Sequence, residues 1–207
     1  MIQVHHLNNS RSQRILWLLE ELGIEYEIVK HQRDPETNLA PQSLLAVHPL
    51  GKSPILVDGD VTVIESGAII EYLVNRYGDG KLCPKDGTPE ALEYLQWMHY
   101  AEGSAMLPLM LKLYMSRLGE AGAPLSERIT SEIVRHVGYL DAELGERSWF
   151  VGDELSAADI QLSFVVQVAA LLHGLDEFSN LGRFAQRIKE RPAYQRAIER
   201  GGEYAFG

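Results

Sequence analysis

The chain holds 207 residues, 45% of them hydrophobic and 23% charged, a globular composition long enough to bury a substantial core and unlike a disordered or collagen-like chain. The formal charge is −10, spread evenly: 6 basic against 11 acidic residues up to position 80, and 13 against 18 beyond it. Such a surface repels a phosphate backbone, so no nucleic-acid partner is expected, and the single cysteine, Cys83, excludes intrachain disulfides and Cys-rich zinc sites.

The first 80 residues mix two periods. Ile2–Leu7 and Glu25–Val29 carry the β-branched and aromatic clustering of strands. Between them Arg14–Leu22 puts Ile15, Leu18, Leu19 and Leu22 on one helical face, with Gly23 as the stop. A short helix between two such strands predicts a parallel β-α-β unit. Asp34–Ala46 is expected as a second helix, broken by His48-Pro49-Leu50-Gly51. Pro54–Val57 and Val61–Ile64 flank Asp58-Gly59-Asp60, which predicts a hairpin. Gly67–Tyr77 then spaces Ala68, Ile69, Tyr72 and Leu73 as a helix, so residues 1–78 read β-α-β-α-β-β-α.

Residues 79–89 gather Gly, Pro and charge, and form a linker. Everything from 90 to 207 reads as helix: Glu90–Leu118 with a kink expected at Pro108, Ser126–Leu144, Ser156–Leu172, and a stretch around Phe184–Arg200 interrupted by Pro192. The fold class is an α/β domain followed by an all-α domain. The longest apolar run, Phe164–Leu172, is broken by Gln167 and too short for a bilayer, and residues 1–14 lack the apolar stretch of a secretory signal. A cytoplasmic protein without a membrane partner is expected.

Several apparent motifs fail on physical grounds. Ala46-Val47-His48-Pro49-Leu50-Gly51-Lys52-Ser53 lacks the first glycine of a phosphate loop, and Pro54 follows where a helix must open. Around Ser66, Ile64 and Ala68 replace the glycines of a nucleophile elbow. The seven histidines show no ligand spacing, and His5 and His6 project to opposite faces of one strand, so no metal is expected. Ser156-Ala157-Ala158-Asp159 is a capping box with Leu155 and Ile160 at the staple positions, a structural helix start.

Three places in the first domain remain. Asn8-Asn9-Ser10-Arg11 joins the first strand to the first helix, where a hydroxyl can cap the helix or donate to an anion at its positive end. Ser53-Pro54 stands before a strand, where a free Ser53 backbone could pair with an extended peptide ligand. Glu65-Ser66 lies where a strand feeds a helix: Ser66 is a natural N-cap that could also seat a carboxylate, and Glu65 could take an ammonium, a pair suited to an amino-acid head group.

In this order, Ser10-x-x-x-Arg14, Pro49-Leu50-Gly51-Lys52-Ser53-Pro54, Glu65-Ser66 and Ser156-x-x-Asp159 resemble the cytosolic glutathione transferase superfamily across nearly the whole chain, most closely its serine-type, theta-like members of bacteria and fungi. A tyrosine-type member would carry Tyr where Leu7 and Asn8 stand, and a cysteine-type member would carry Cys near position 10. The resemblance implies a thioredoxin-like glutathione-binding domain, a helical domain, and no permanently bound cofactor, with glutathione as cosubstrate. It implies that Ser10, with Ser12 and Asn9 as alternatives, faces the sulfur. Ser53 and Pro54 would meet the cysteinyl unit, Glu65 and Ser66 the γ-glutamyl end, and Lys52 the glycine carboxylate. A small hydrophobic electrophile would sit between the domains, near Met106, Met110 and Tyr114, in a homodimer.

The implied activity is thiolate attack on an electrophile. Glutathione-dependent reduction of disulfides or peroxides and a non-catalytic carrier are the alternatives on the same fold. A thiol of pKa ~8.5 is only about 3% thiolate at neutral pH. Lowering that pKa to about 6.5 takes roughly 2.7 kcal/mol. A hydroxyl hydrogen bond to the charged sulfur supplies ~1.5–3 kcal/mol and a helix N-terminus ~0.3–1 kcal/mol, so no general base is required.

Overall fold

In the computed structural model, which describes residues 1–206, the chain opens with β1 (Ile2–Leu7), as its β-branched pattern predicts. Helix α1 (Ser12–Leu22) follows and buries Ile15, Leu16, Trp17, Leu18 and Leu19 completely. It ends at Gly23, whose φ of 67° is the left-handed conformation that lets its N–H reach the Leu19 carbonyl. Strand β2 (Tyr26–His31) then runs parallel to β1, with Ile2 opposite Tyr26.

The second helix is far shorter than the pattern of residues 34–46 predicts: α2 spans only Gln42–Leu45. The Asp34 carboxylate accepts from the Glu36 and Thr37 amides and the Thr37 hydroxyl, an Asx turn that takes donors from a would-be helix. Asn38 adopts φ 57°, and Pro41 stands in the cap position, so regular structure begins only after it. Strands β3 (Ile55–Asp58) and β4 (Val61–Ile64) form the expected hairpin. β3 also pairs antiparallel with β1, giving the order β2-β1-β3-β4. Helix α3 (Ser66–Tyr77) completes the series.

The chain divides into two compact units, Leu82–Ile188 with Phe206, and Met1–Lys81 with Lys189–Ala205. The former holds α4 (Pro89–Tyr100), α5 (Met106–Ser116), α6 (Ala123–Leu144), α7 (Ala157–Leu172) and nearly all of α8 (Ser179–Lys189). The expected single helix of Glu90–Leu118 is interrupted by a π-helical turn at Ala101–Ala105, just upstream of Pro108. Proline has no N–H to offer the carbonyl of Ser104, four residues back, and its ring crowds that carbonyl. The π-helical turn thus lies where that hydrogen bond is lost.

Helix α7 starts at the expected capping box, with Ser156 as N-cap and Asp159 in the reciprocal position. The fully buried Asp159 accepts from the Phe150 amide at 2.8 Å, the Ser156 amide at 2.8 Å and the Ser156 hydroxyl at 2.7 Å. Burial pushes its carboxyl up to about 6 against the pull of those donors.

The last helix, α9 (Pro192–Gly201), corrects the assignment of residues 90–207 to one helical domain, because it belongs with the first unit. It lies against α1: Arg191 makes a two-pronged pair with Glu21 at 2.6 and 2.8 Å, and Arg196 and Arg200 both reach Glu20. Tyr194 stands edge-on to Trp17. Gly201 permits the close approach, since a Cβ there would lie 2.6 Å from Gln13 Oε1 and 3.0 Å from Leu16 Cδ1. Among the described residues, no helix is long and apolar enough to cross a membrane.

Candidate functional site

Where β1 ends and α1 begins, the chain turns through Asn8-Asn9-Ser10-Arg11. Arg33 braces this turn: its amide donates to Asn8 Oδ1 at 2.9 Å, its Nε to the Asn8 carbonyl at 3.1 Å and its Nη2 to the Asn9 carbonyl at 3.1 Å. Asn9 is thereby held at φ 51°. Its side-chain oxygen accepts from the Ala205 amide at 2.7 Å, so it is already engaged with the last stretch of the first unit.

Ser10 is nearly buried, at 7% exposure. Its Oγ accepts from the Ser12 amide at 3.2 Å, which serves one orphan donor of the helix start. Ser12 is completely buried, and its hydroxyl lies 2.8 Å from Ser10 Oγ, 2.8 Å from His6 Nδ1 and 3.3 Å from the Leu7 amide. All three candidates for the sulfur partner are thus engaged: Ser10 Oγ with Ser12, Ser12 with Ser10, His6 and Leu7, and the half-buried Asn9 with Ala205.

Ser53 joins the same cluster. Its hydroxyl donates to the His5 carbonyl at 2.8 Å and accepts from the Leu7 amide at 3.2 Å, and the Ser53-Pro54 bond is cis. The β1–β3 pairing stops at His5 and Ile55, and Ser53 takes part in no ladder bond with β1. Its main chain lies beyond that edge.

Across the first unit, Glu65 occupies the cap position of α3 with φ 66° and ψ 120°, and Ser66, expected as the N-cap, is the first helical residue. A non-glycine residue at positive φ carries a backbone cost of order 1–3 kcal/mol, a strain concentrated at ligand clamps. The Glu65 side chain is exposed, whereas Ser66 is buried. The buried Arg14 of α1 donates through Nη2 to Ser66 Oγ at 2.9 Å, tying the starts of α1 and α3 together. Lys52 is exposed.

Of the apolar stripe on α5, Met106 is sealed in the core at 2% exposure, Met110 is half-buried, and Tyr114 stands exposed. The stripe is core at one end and surface at the other. His5 and His6 enter separate networks, as their alternation requires: His5 Nδ1 lies 3.1 Å from His31 Nε2, and His6 faces Ser12. Desolvation, with Lys30 and His31 nearby, pushes the His6 imidazole down to about 4, so it is neutral at ordinary pH. Among the described residues, no group of three or more His, Cys, Asp or Glu is placed to hold a metal ion.

The sequence pattern missed Arg33 and His6. Arg33 carries no local signal, because its partners lie 24 and 25 residues away. His6 has one: it shares the buried face of β1 with Ile2 and Val4, so a polar group there must find a partner.

Comparison with known proteins gives the family. The glutathione S-transferase N-terminal domain family matches residues 1–75, and the corresponding C-terminal domain family matches residues 103–192. Glutathione S-transferase 3 of Schizosaccharomyces pombe is 35% identical, over 97% of this chain and 88% of the yeast protein. A crystal structure of a glutathione S-transferase from Actinobacillus pleuropneumoniae superposes with a TM-score of 0.91 at 32% identity, covering 100% of this chain and 95% of that one. A glutathione transferase family member from Pseudomonas fluorescens, solved with two glutathione bound, is 28% identical with a TM-score of 0.80, covering 96% and 92%.

Proposed function

Because the chain belongs to the cytosolic glutathione S-transferase superfamily, we propose that it is a serine-type transferase in which the Ser10 hydroxyl stabilises the glutathione thiolate for attack on an apolar electrophile. The observation that carries this reading is one connected cluster at the end of β1. Ser10 bonds to Ser12, Ser12 and Ser53 both bond to the Leu7 amide, and Arg14 links α1 to Ser66. Residues from three separate stretches of sequence are thus tied to the segment that opens α1, and the dipole of a helix N-terminus favours an anion.

The chemistry follows from the donors. Ser10 donates to the sulfur, which needs no base because the proton of a thiol brought near pKa ~6.5 leaves to water at neutral pH. The main chain of Ser53, beside Pro54, offers a strand-like edge to the cysteinyl unit. Glu65 receives the ammonium and Ser66 the carboxylate of the γ-glutamyl group, and Lys52 stands toward the glycine carboxylate. Met110 and Tyr114, the part of the α5 stripe with exposed surface, offer an apolar, polarisable face to such an electrophile, whereas Met106 is buried. The sulfur lone pair forms the new carbon–sulfur bond, and the electrophile's leaving group departs or its conjugated system takes up the electron pair. The protein acts as a cytoplasmic homodimer on this reading, which sedimentation at micromolar concentration checks.

Ser10→Ala tests the central step. A hydrogen bond to a charged acceptor contributes ~1.5–3 kcal/mol, so its loss raises the bound-thiol pKa by about one to two units. Glutathione affinity stays nearly unchanged. The titration is read from thiolate ultraviolet absorbance in the binary complex, and an unshifted curve refutes the assignment.

A further inference from the structure

We propose that His6 is a positioning residue of this site: with Ser12 it forms an ordered hydrogen-bond chain that turns the Ser10 hydroxyl hydrogen outward, toward the sulfur. The proposal rests on the reading of Ser10 given above and adds what sets the direction of that hydroxyl.

The two 2.8 Å contacts fix the order once Ser10 donates outward, and the Ser12 hydroxyl then forgoes its longer 3.3 Å contact with the Leu7 carbonyl. A serine hydroxyl has one hydrogen and two lone pairs. If Ser10 donates to sulfur, the 2.8 Å contact between Ser10 Oγ and Ser12 Oγ must carry the Ser12 hydrogen. Ser12 then has nothing left to donate, so the 2.8 Å contact with His6 Nδ1 must carry a hydrogen from the imidazole. The second lone pair of Ser12 accepts from the Leu7 amide at 3.3 Å. Every hydrogen in the cluster is then assigned: His6 Nδ1–H to Ser12, Ser12 to Ser10, Ser10 to sulfur. In the opposite order His6 Nδ1 accepts from Ser12, Ser10 donates inward to Ser12, and sulfur meets only lone pairs.

The role of His6 is therefore orientation and not proton abstraction. Its imidazole is neutral at working pH, and burial beside Lys30 and His31 makes it a poor home for a thiol proton. Its Nδ1 lies on a ring packed at 2% exposure, on a central strand, which fixes the donor in place. Consecutive donors in a water-excluded chain polarise one another, so the terminal Ser10–sulfur bond is strengthened as well as aimed.

The experiment compares Ser10→Ala, Ser12→Ala, His6→Phe and His6→Asn in complex with glutathione, reading the bound-thiol pKa by ultraviolet absorbance and kcat and KM with a chromogenic aryl halide. Ser12→Ala and His6→Phe should each raise the thiol pKa by about half a unit, roughly a threefold loss of thiolate at fixed pH below it, with KM for glutathione unchanged. His6→Asn should restore most of the shift, because its amide nitrogen stands at the same two-bond distance from Cβ as Nδ1. A merely structural histidine would move melting temperature and KM and leave the thiol titration alone. If Ser10→Ala raises the thiol pKa while Ser12→Ala and His6→Phe leave it unchanged, the chain is refuted and the assignment of Ser10 survives. If Ser10→Ala itself changes nothing, the underlying reading falls, and the chain falls with it. Should His6→Phe fail to fold, Ser12→Ala and His6→Leu, which likewise removes the imidazole donor, decide the same question.

Discussion

Replacing Asp159 by alanine measures how much of the helical unit depends on one carboxylate. Asp159 is fully buried and accepts three hydrogen bonds, from the Phe150 amide, the Ser156 amide and the Ser156 hydroxyl. In Asp159→Ala the hydroxyl can turn to another acceptor, but the two amides cannot. Phe150 is 0% and Ser156 5% exposed, so both N–H groups stay dry and unpaired. Each costs ~1–3 kcal/mol, giving about 4 kcal/mol in all. That is a large share of the ~5–15 kcal/mol by which domains are stable, and it lowers the melting temperature by roughly 8–16 °C for a chain of this size. Asp159→Asn keeps an oxygen for Phe150 but sets an amide against the Ser156 N–H, leaving one orphan donor and a loss of about 1–3 kcal/mol. Ser156→Ala, which removes only the cap hydroxyl, costs about 1 kcal/mol. Thermal melts at pH ~7.5, where a carboxyl of pKa about 6 is the anion, should rank the variants Ser156→Ala, Asp159→Asn, Asp159→Ala in increasing damage. An Asp159→Ala protein melting within ~1 kcal/mol of wild type would refute the assignment of those donors.

Glu65→Ala should weaken glutathione binding about tenfold in calorimetry, the loss of one charged pair worth ~1.4 kcal/mol, while the pKa of the bound thiol stays put; equal affinity removes Glu65 from the site. Gly201→Ala forces a methyl to within 2.6 Å of Gln13 Oε1 and 3.0 Å of Leu16 Cδ1, and should cost ~1–3 kcal/mol in urea unfolding; an unchanged midpoint would show that α9 does not lie that close to α1. The His6 imidazole, lowered from 6.5 to about 4, binds its proton in the unfolded chain first. Its contribution is therefore fully present above pH 6.5 and is lost as pH falls toward 4, by up to about 3 kcal/mol. His6→Asn should flatten that acid limb; an equally steep limb in the variant would place the sensitivity elsewhere.

The elements that sequence alone located were those with local causes. β1 carries its own β-branched pattern, β3 and β4 flank a turn through Gly59, α1 has its stop in Gly23, and α7 has both halves of its capping box within four residues. Where the reading failed, the cause was a competing interaction. The helical spacing of residues 34–46 lost to the Asp34 turn and to Pro41, and Pro108 acted one turn upstream of itself. The allegiance of α9 was not legible, because it is set by partners some 170 residues away in Glu20 and Glu21. For the site, a run of chemistry-bearing residues was legible and the connections among them were not. Nothing near Ser66 in sequence announces that Arg14, 52 residues earlier, will occupy its oxygen.

That last contact and the Ser10 cluster share one physical logic. An isolated serine hydroxyl is ambivalent: it donates or accepts with equal ease and rotates to suit its surroundings. At Ser66 the Arg14 guanidinium, which can only donate, takes up a lone pair from inside the protein. At Ser10 the Ser12 amide does the same. In each case the interior supplies a hydrogen to the oxygen, and on the reading proposed above the hydroxyl hydrogen is left for an acceptor that arrives from outside. An anion is the strongest such acceptor, and both serines stand at helix N-termini where an anion is favoured. The distance between the two sites and the two ends of the γ-glutamyl-cysteinyl unit need not be matched by flexible side chains, because each hydroxyl is aimed by buried groups on the rigid sheet and helices behind it. On the proposed assignment of Ser10 and Ser66, a ligand that presents a carboxylate at one end and a thiolate at the other meets two donors already turned toward it, and a neutral thioether product finds only one.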